Sequence, residues 1–177
     1  MKLKLRDTCF IAIFVAVIAV LAQISIPMPL GVPLTLQTFG VALAGIVLGA
    51  KKGAAAALVY LLLGAVGAPV FTQFGAGFHR IIGPWGGFAL SFPLMAFVTG
   101  LGADSGKKFL LAISLAAGAV ITLSMGMVQF AFVSGVGFPE AFFAAFAPFI
   151  IADAIKMAMA FGAGLSVRHI LTKNGIC

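Results

Sequence analysis

Long apolar segments separated by short basic clusters make up almost the whole of this chain of 177 residues. Nine of its eleven basic residues fall in four clusters: Lys2, Lys4 and Arg6; Lys51 and Lys52; Lys107 and Lys108; Arg168 and Lys173. Each stretch between successive clusters has room for two membrane-spanning helices of about 20 residues. Because 63% of the residues are hydrophobic and only 8% are charged, against about a quarter in soluble domains, a water-soluble fold is excluded.

The charge pattern predicts an all-α integral membrane bundle of six transmembrane helices in the cell membrane, multi-pass, with both termini cytoplasmic and a single domain over residues 1–177. Basic residues favour the cytoplasmic side, and six crossings put all four clusters there. Cleavage of residues 1–22 as a signal peptide would break this alternation. A short interfacial helix is expected near Pro139. The predicted spans are 9–26, 35–50, 53–67, 84–101, 109–132 and 148–167.

Several sequence features of enzymes are absent. Residues 102–108 (GADSGKK) lack the spacing of a nucleotide-binding P-loop, and there is no Gly-x-Ser-x-Gly elbow and no cluster of metal ligands. Cys9 and Cys177 lie near the two termini, where a cytoplasmic disulfide is not expected. We therefore expect no enzyme activity, no metal and no cofactor. Nucleic acid is not expected as a partner either, because no soluble segment interleaves basic and aromatic residues.

Asp153 and Lys156 are the strongest candidates for a functional site. They are three residues apart, so they share one face of the sixth predicted span. Ionisable residues inside a membrane are costly and are usually functional. The pair is either an internal ion pair that holds helices together or a polar site for a ligand in the outer half of the membrane, and we favour the ligand site.

Two further candidates lie near the predicted outer surface. Arg80 is a basic residue in an outer connection, and it is either a solvated charge or a clamp for an anionic group. Residues 83–88 (GPWGGF) open the fourth predicted span. Gly86 there permits close approach of a ligand to the backbone, whereas Trp85 is either a ligand contact or an interfacial anchor.

Polar and small residues in other spans leave two interpretations open. Thr35, Gln37 and Thr38 are polar residues at the outer start of the second span, where they cap and pack the helix or, for Thr35 and Gln37, face a ligand. Gln129 either hydrogen-bonds between helices or faces the ligand. Ala12 and Ala16 are four residues apart, which allows a close approach of another helix. That helix belongs either to the same bundle or to a partner protein.

Four segments stand in order along the chain: SIPMP at 25–29, VPLTLQT at 32–38, GPWGGF at 83–88 and ADAIK at 152–156. Together they resemble the BioY family, the biotin-binding substrate-capture (S) components of energy-coupling factor (ECF) transporters. The resemblance covers essentially the whole chain. It implies a six-helix bundle in the membrane lipid that captures biotin from outside, with a membrane coupling protein and two cytoplasmic ATPase subunits as partners.

The resemblance also implies roles for individual residues. Asp153 and Lys156 match the family's ligand-contacting pair, Ala12 and Ala16 match its docking motif, and residues 27–34 correspond to a lid. With biotin as the ligand, Asp153 would accept from the ureido N–H groups and Lys156 would donate to the ureido carbonyl.

The apolar body and the carboxylate of biotin have candidate contacts as well. Trp85, Phe78 and Phe88 would cover the apolar body. Arg80 would meet the carboxylate, an assignment that rests on its charge and position. Two other functions stay open: a stand-alone proton-coupled carrier of a small polar solute, and a structural subunit that binds no small molecule.

Overall fold

The computed structural model describes residues 5–27 and 33–174, most of which are helical. Six long helices, α1, α2, α3, α5, α6 and α8, match the six predicted apolar segments, and two short helices lie between them. In chain order the elements are α1 (Leu5–Gln23), β1 (Ser25–Ile26), β2 (Leu34–Thr35), α2 (Gln37–Leu48), α3 (Ala50–Ala65), a 3-10 helix (Thr72–Phe74), α4 (His79–Ile82), α5 (Gly86–Asp104), α6 (Lys108–Ser134), α7 (Phe138–Ala145) and α8 (Ala147–Lys173).

The first helix ends at Gln23, three residues before the end predicted for the first span. Residues 25–26 instead pair with residues 34–35 in a small antiparallel hairpin. The Gln23 side chain stabilises this helix end, because its amide donates to Ala19 O at 3.0 Å and its Oε1 accepts from the backbone N–H of Phe74 at 2.8 Å. Residues 28–32, in the predicted lid, lie outside the described residues.

Four helical stretches are long and apolar enough to cross a membrane: 5–23, 86–104, 108–134 and 138–173. The helices α2 and α3 are shorter, at 12 and 16 residues. Most of α2 is buried, because it packs against α1, α3, α5 and α8. The helix therefore lies inside the bundle, where neighbouring protein covers it. The number of crossings and the side on which the termini lie stay predictions.

Ion pairs tie several helix ends together at one end of the bundle. The Asp104 carboxylate accepts from the backbone N–H of Ala50 at 3.0 Å and from Arg168 at 2.8 Å, while Lys52 contacts Asp7 at 2.6 Å. These contacts join the start of α1, the junction of α2 and α3, and the last turns of α5 and α8. We call this the basic end, because it contains Lys51, Lys52, Lys107, Lys108 and Arg168.

The connection between α3 and α5 is folded at the opposite end. It contains the 3-10 helix and α4, where the sequence indicated only a loop. Its Phe71 packs against Gly64 of α3, where a Cβ would collide with the aromatic ring. The helix expected near Pro139 is confirmed as α7. We call the end of the bundle that holds this connection the site end, because the cavity described next opens there.

Candidate functional site

A cavity of about 120 Å³ lies near the site end, between the hairpin, α2, the α3–α5 connection, α5, α6 and α8. It collects residues that are far apart in the sequence. Seven of the ten predicted ligand contacts line it: Thr35, Gln37, Arg80, Trp85, Phe88, Asp153 and Lys156. Its other lining residues are Pro33, Thr38, Phe71, Thr72, Ile81, Ala89, Phe92, Leu123 and Phe149.

Asp153 and Lys156 of α8 form an ion pair at this cavity. The two residues are only 2% and 6% exposed. Thr38 at the start of α2 donates to Asp153 Oδ1 at 3.1 Å, and Lys156 Nζ donates to the backbone carbonyl of Thr35 at 3.1 Å. Each charged group thus has one polar partner beyond the other. Because removing charges from water costs several kcal/mol per ion, such a pair needs these extra hydrogen bonds.

A second polar network orients the side chain of Gln37. Its amide nitrogen donates to Tyr60 OH at 2.6 Å, and its Oε1 accepts from Thr35 and Thr72, each at 3.1 Å. The Tyr60 hydroxyl in turn donates to Val70 O at 3.0 Å. This network connects the hairpin, α2, α3 and the α3–α5 connection, so it holds one wall of the cavity in place.

Aromatic rings form the apolar wall of the cavity. Trp85 stacks on Phe130, with ring centroids 4.5 Å apart and planes at 11°. The ring centroids of Phe88 and Phe149 lie 6.1 Å apart. Gly126 of α6 makes room for the Phe88 ring, because a Cβ at this position would collide with it. The wall therefore depends on a close approach between α5 and α6.

Arg80 lies in α4 on the rim of the cavity and is exposed. Within residues 5–27 and 33–174 its guanidinium forms no ion pair. The cavity therefore has a buried acid and amine on one side and an accessible cation on another. This arrangement suits a ligand that has polar groups at both ends and an apolar body between them.

Three of the predicted ligand contacts do not line the cavity. Phe78 is 62% exposed. Gln129 donates to the backbone carbonyls of Ile81 and Gly83, both at 2.7 Å, which favours the interhelical interpretation of that residue. Gly86 is buried at the start of α5, and a Cβ there would collide with Ile81 O. Its lack of a side chain therefore serves helix packing.

The alanines on the small-residue face of α1 differ in their burial. Ala12 and Ala16 are exposed and contribute nothing to the core of the bundle. Ala19 is half-buried and Ala22 is fully buried, so these two pack within the protein. Internal packing therefore does not account for Ala12 and Ala16.

Two contributors to the site, Tyr60 and Thr72, were not predicted from the sequence, and Thr38 was predicted as a polar residue of the second span but not as a ligand contact. Thr38 belongs to the TLQT segment, and its contact with Asp153 spans 115 positions of the chain. Tyr60 is the only tyrosine of the chain, and its rarity inside an apolar span was a usable signal. No sequence signal indicated Thr72, because it lies in a connection with no helical periodicity.

The site has no metal centre among the residues that the structure describes. No group of three or more His, Cys, Asp or Glu residues there is arranged to hold a metal ion. The chemistry available at the cavity is hydrogen bonding, charge pairing and aromatic contact. Such groups can bind a ligand that has both polar and apolar parts.

Comparisons with known proteins agree with this geometry. The sequence profile of the BioY family matches residues 1–173. A probable biotin transporter BioY of Pyrococcus horikoshii is 42% identical over 159 residues, which cover 89% of this chain and 93% of the relative. The biotin transporter BioY of Thermotoga maritima is 40% identical over 159 residues, covering 88% and 92%.

A solved structure has the same fold. The crystal structure of the S-component for biotin from an ECF-type ABC transporter superposes with a TM-score of 0.82 and 25% sequence identity. The match covers 94% of this chain and 90% of the other. Fold, site and relatives together define a multi-pass membrane transport protein, and not an enzyme. The chain belongs to the BioY family, as the sequence resemblance indicated.

Proposed function

We propose that this protein is the substrate-binding membrane subunit of an ECF-type ABC transporter and captures biotin on the extracellular side for ATP-driven uptake. The observation that carries the proposal is the buried pair of Asp153 and Lys156 at a cavity whose rim holds Arg80. Relatives named as biotin transporters and the likeness to a biotin S-component supply the ligand.

The polar groups of biotin are complementary to the buried pair. The ureido ring has two N–H donors and one carbonyl acceptor. In our proposal Asp153 accepts from the N–H groups and Lys156 donates to the carbonyl, so the ring separates the two side chains. A ligand lacking one of these groups leaves a buried partner unsatisfied, at a cost of about 1–3 kcal/mol. This cost gives the site its selectivity.

The remaining parts of biotin meet the other surfaces of the cavity. Trp85 and Phe88 cover the apolar bicyclic body, and Thr35 and Gln37 lie beside the ring. Arg80 pairs with the carboxylate at the rim, since a guanidinium matches carboxylate geometry.

The partners in this proposal are a membrane coupling protein and two cytoplasmic ATPase subunits. Support comes from the likeness to an S-component and from the exposure of Ala12 and Ala16 on α1, which suits close contact with a helix of the coupling protein. The same likeness favours a transporter subunit over a stand-alone proton-coupled carrier. Uptake by vesicles that hold this protein alone, driven by a pH gradient, would support the carrier instead.

The chain provides its own reporter for the test, because Trp85 is its only tryptophan and lines the cavity. In detergent, biotin should change Trp85 fluorescence to saturation. Biotin at 100 times its Kd should also stabilise the protein by about 2.7 kcal/mol in thermal unfolding. Thiamine and nicotinate should give no shift. Equal shifts with all three vitamins, or none with biotin, would reject the proposal.

Biotin methyl ester tests the role of Arg80, because the ester lacks the negative charge. Wild-type protein should prefer biotin over the ester, and Arg80→Gln should remove that preference. His79→Gln is the matched control, since His79 is exposed beside Arg80 and does not line the cavity. A preference unchanged in Arg80→Gln would exclude this residue from carboxylate recognition while leaving biotin capture intact.

A further inference from the structure

The contact between α6 and α8 leaves an open groove along the side of the bundle, which meets the proposed biotin site at Leu123 and Asp153. Its volume is about 700 Å³ and its lining is apolar except for Asp153. On α6 the exposed Ala112 and Ala116 form part of its wall, and on α8 the exposed Ala154 and Ala158 do so. We call this feature the α6–α8 groove.

A second pocket, of about 230 Å³, lies at the basic end of the same two helices. Lys107, Lys108, Arg168 and His169 line it together with Thr172. We call it the cationic pocket. Lys107, Lys108 and His169 form no ion pair within residues 5–27 and 33–174. The nearby Asp104 is already paired with Arg168, so the pocket keeps a net positive charge.

The groove and the pocket adjoin each other along both helices. On α6, Leu111 lines the cationic pocket and Leu115 lines the groove, one helical turn away. On α8, Leu165 and Phe161 are related in the same way. The α6–α8 groove therefore begins directly beside the cationic pocket.

The groove is long enough to hold an acyl chain through one leaflet of a bilayer. Along α6 it extends from Ala112 to Leu123, about 17 Å, and along α8 from Phe146 to Phe161, about 22 Å, at about 1.5 Å per residue. Half of a hydrocarbon core about 30 Å thick is about 15 Å. The cations then lie at headgroup depth, where basic pockets between membrane helices bind anionic lipid headgroups. The backbone N–H groups at the start of α6 favour an anion at the same place.

We infer that the α6–α8 groove and the cationic pocket together bind one anionic phospholipid. The phosphate pairs with Lys107 and Lys108, and an acyl chain lies in the groove against the alanines of α6 and α8. A transmembrane helix of a partner would also contact small residues, but it would make no use of the adjoining cations. The charge beside the groove therefore favours a lipid.

The test measures lipid binding to the delipidated protein in detergent, with dioleoylphosphatidylglycerol and dioleoylphosphatidylcholine as probes. Two lysines near an anionic headgroup contribute about 2 kcal/mol, so phosphatidylglycerol should bind about 30-fold more tightly than phosphatidylcholine. Lys107→Gln/Lys108→Gln should abolish this preference. The control Lys51→Gln/Lys173→Gln should keep it, because both residues are exposed basic side chains that do not line the pocket.

The acyl-chain part of the site has its own matched pair of variants. Ala116→Phe fills the groove and should weaken binding of both lipids at least 10-fold. Ala117→Phe should not, because Ala117 is equally exposed on α6 but does not line the groove. These positions are on the surface, so all the variants are expected to fold.

Four outcomes would overturn the inference. One is an unchanged lipid preference in Lys107→Gln/Lys108→Gln, and another is an equal loss in the control double variant. A third is binding of inorganic phosphate alone with the same affinity as phosphatidylglycerol, which would mean that no acyl chain is bound. The fourth is unchanged lipid affinity in Ala116→Phe, which would leave the groove to a protein helix.

Discussion

Removing the buried ion pair one charge at a time, and then entirely, separates its role in stability from its role in binding. The variants are Asp153→Asn, Lys156→Met and the double variant. In Asp153→Asn the ammonium of Lys156 has only neutral acceptors, the amide oxygen and the carbonyl of Thr35, and in Lys156→Met the carboxylate of Asp153 keeps only the hydroxyl of Thr38. Each single variant therefore buries an uncompensated charge.

The expected magnitudes follow from burial. Asp153 and Lys156 are 2% and 6% exposed, so breaking their pair should lower the free energy of unfolding by about 3–5 kcal/mol in each single variant. Removing both charges is often neutral, so the double variant should lie within about 1 kcal/mol of wild type. The double variant loses at least two ligand hydrogen bonds, about 2 kcal/mol in total, and should bind biotin about 30-fold more weakly.

The assay combines thermal unfolding in detergent with biotin titration followed by Trp85 fluorescence. The control is Asp7→Asn/Lys52→Met, which removes a partly exposed ion pair at the basic end. That pair should contribute about 1 kcal/mol or less, and its removal should leave biotin affinity unchanged. A stable Asp153→Asn/Lys156→Met protein with wild-type biotin affinity would refute the reasoning, since the pair would then be purely structural.

Three further substitutions test the surroundings of the site. Gly126→Ala should push the Phe88 ring out of the cavity wall and weaken biotin binding several-fold, with a loss of about 1–3 kcal/mol in stability; unchanged binding would contradict the proposed aromatic contact. Tyr60→Phe should lower stability by about 1 kcal/mol in thermal unfolding, because the half-buried amide of Gln37 loses its acceptor and Val70 O keeps only the longer hydrogen bond from Gln23 at 3.4 Å; a neutral effect would show that water replaces the hydroxyl. Arg168→Met should lower the melting temperature through the loss of its bond to Asp104 without changing biotin affinity, and an altered affinity would show that the two ends of the bundle are coupled.

The fold was predictable where hydropathy alone determines the structure. The segments predicted at 35–50 and 53–67 correspond to α2 and α3, each within three residues at either end. The hairpin of residues 25–26 and 34–35 was not predictable, because two-residue strands leave no periodic pattern. The folded connection between α3 and α5 was missed for a similar reason, since its order depends on contacts such as that of Gln23 with the backbone of Phe74.

The site was predictable where a residue is unusual for its location. Asp153 and Lys156 are ionisable residues inside an apolar segment, and their spacing put them on one face. The bond between Gln37 and Tyr60 joins two helices and spans 23 positions, so no local pattern indicates it. The same limit applies to Gln129, for which the sequence left two roles open and only the neighbouring carbonyls decide the partner.

The most direct measurement of the central claim is a structure of the protein determined with biotin bound. We predict the ureido ring between Asp153 and Lys156, within about 3 Å of the carboxylate and of Nζ, the usual hydrogen-bond distance. The ion pair itself should be opened by the ring. Biotin bound elsewhere, with Asp153 and Lys156 still in contact beside an empty cavity, would contradict the account.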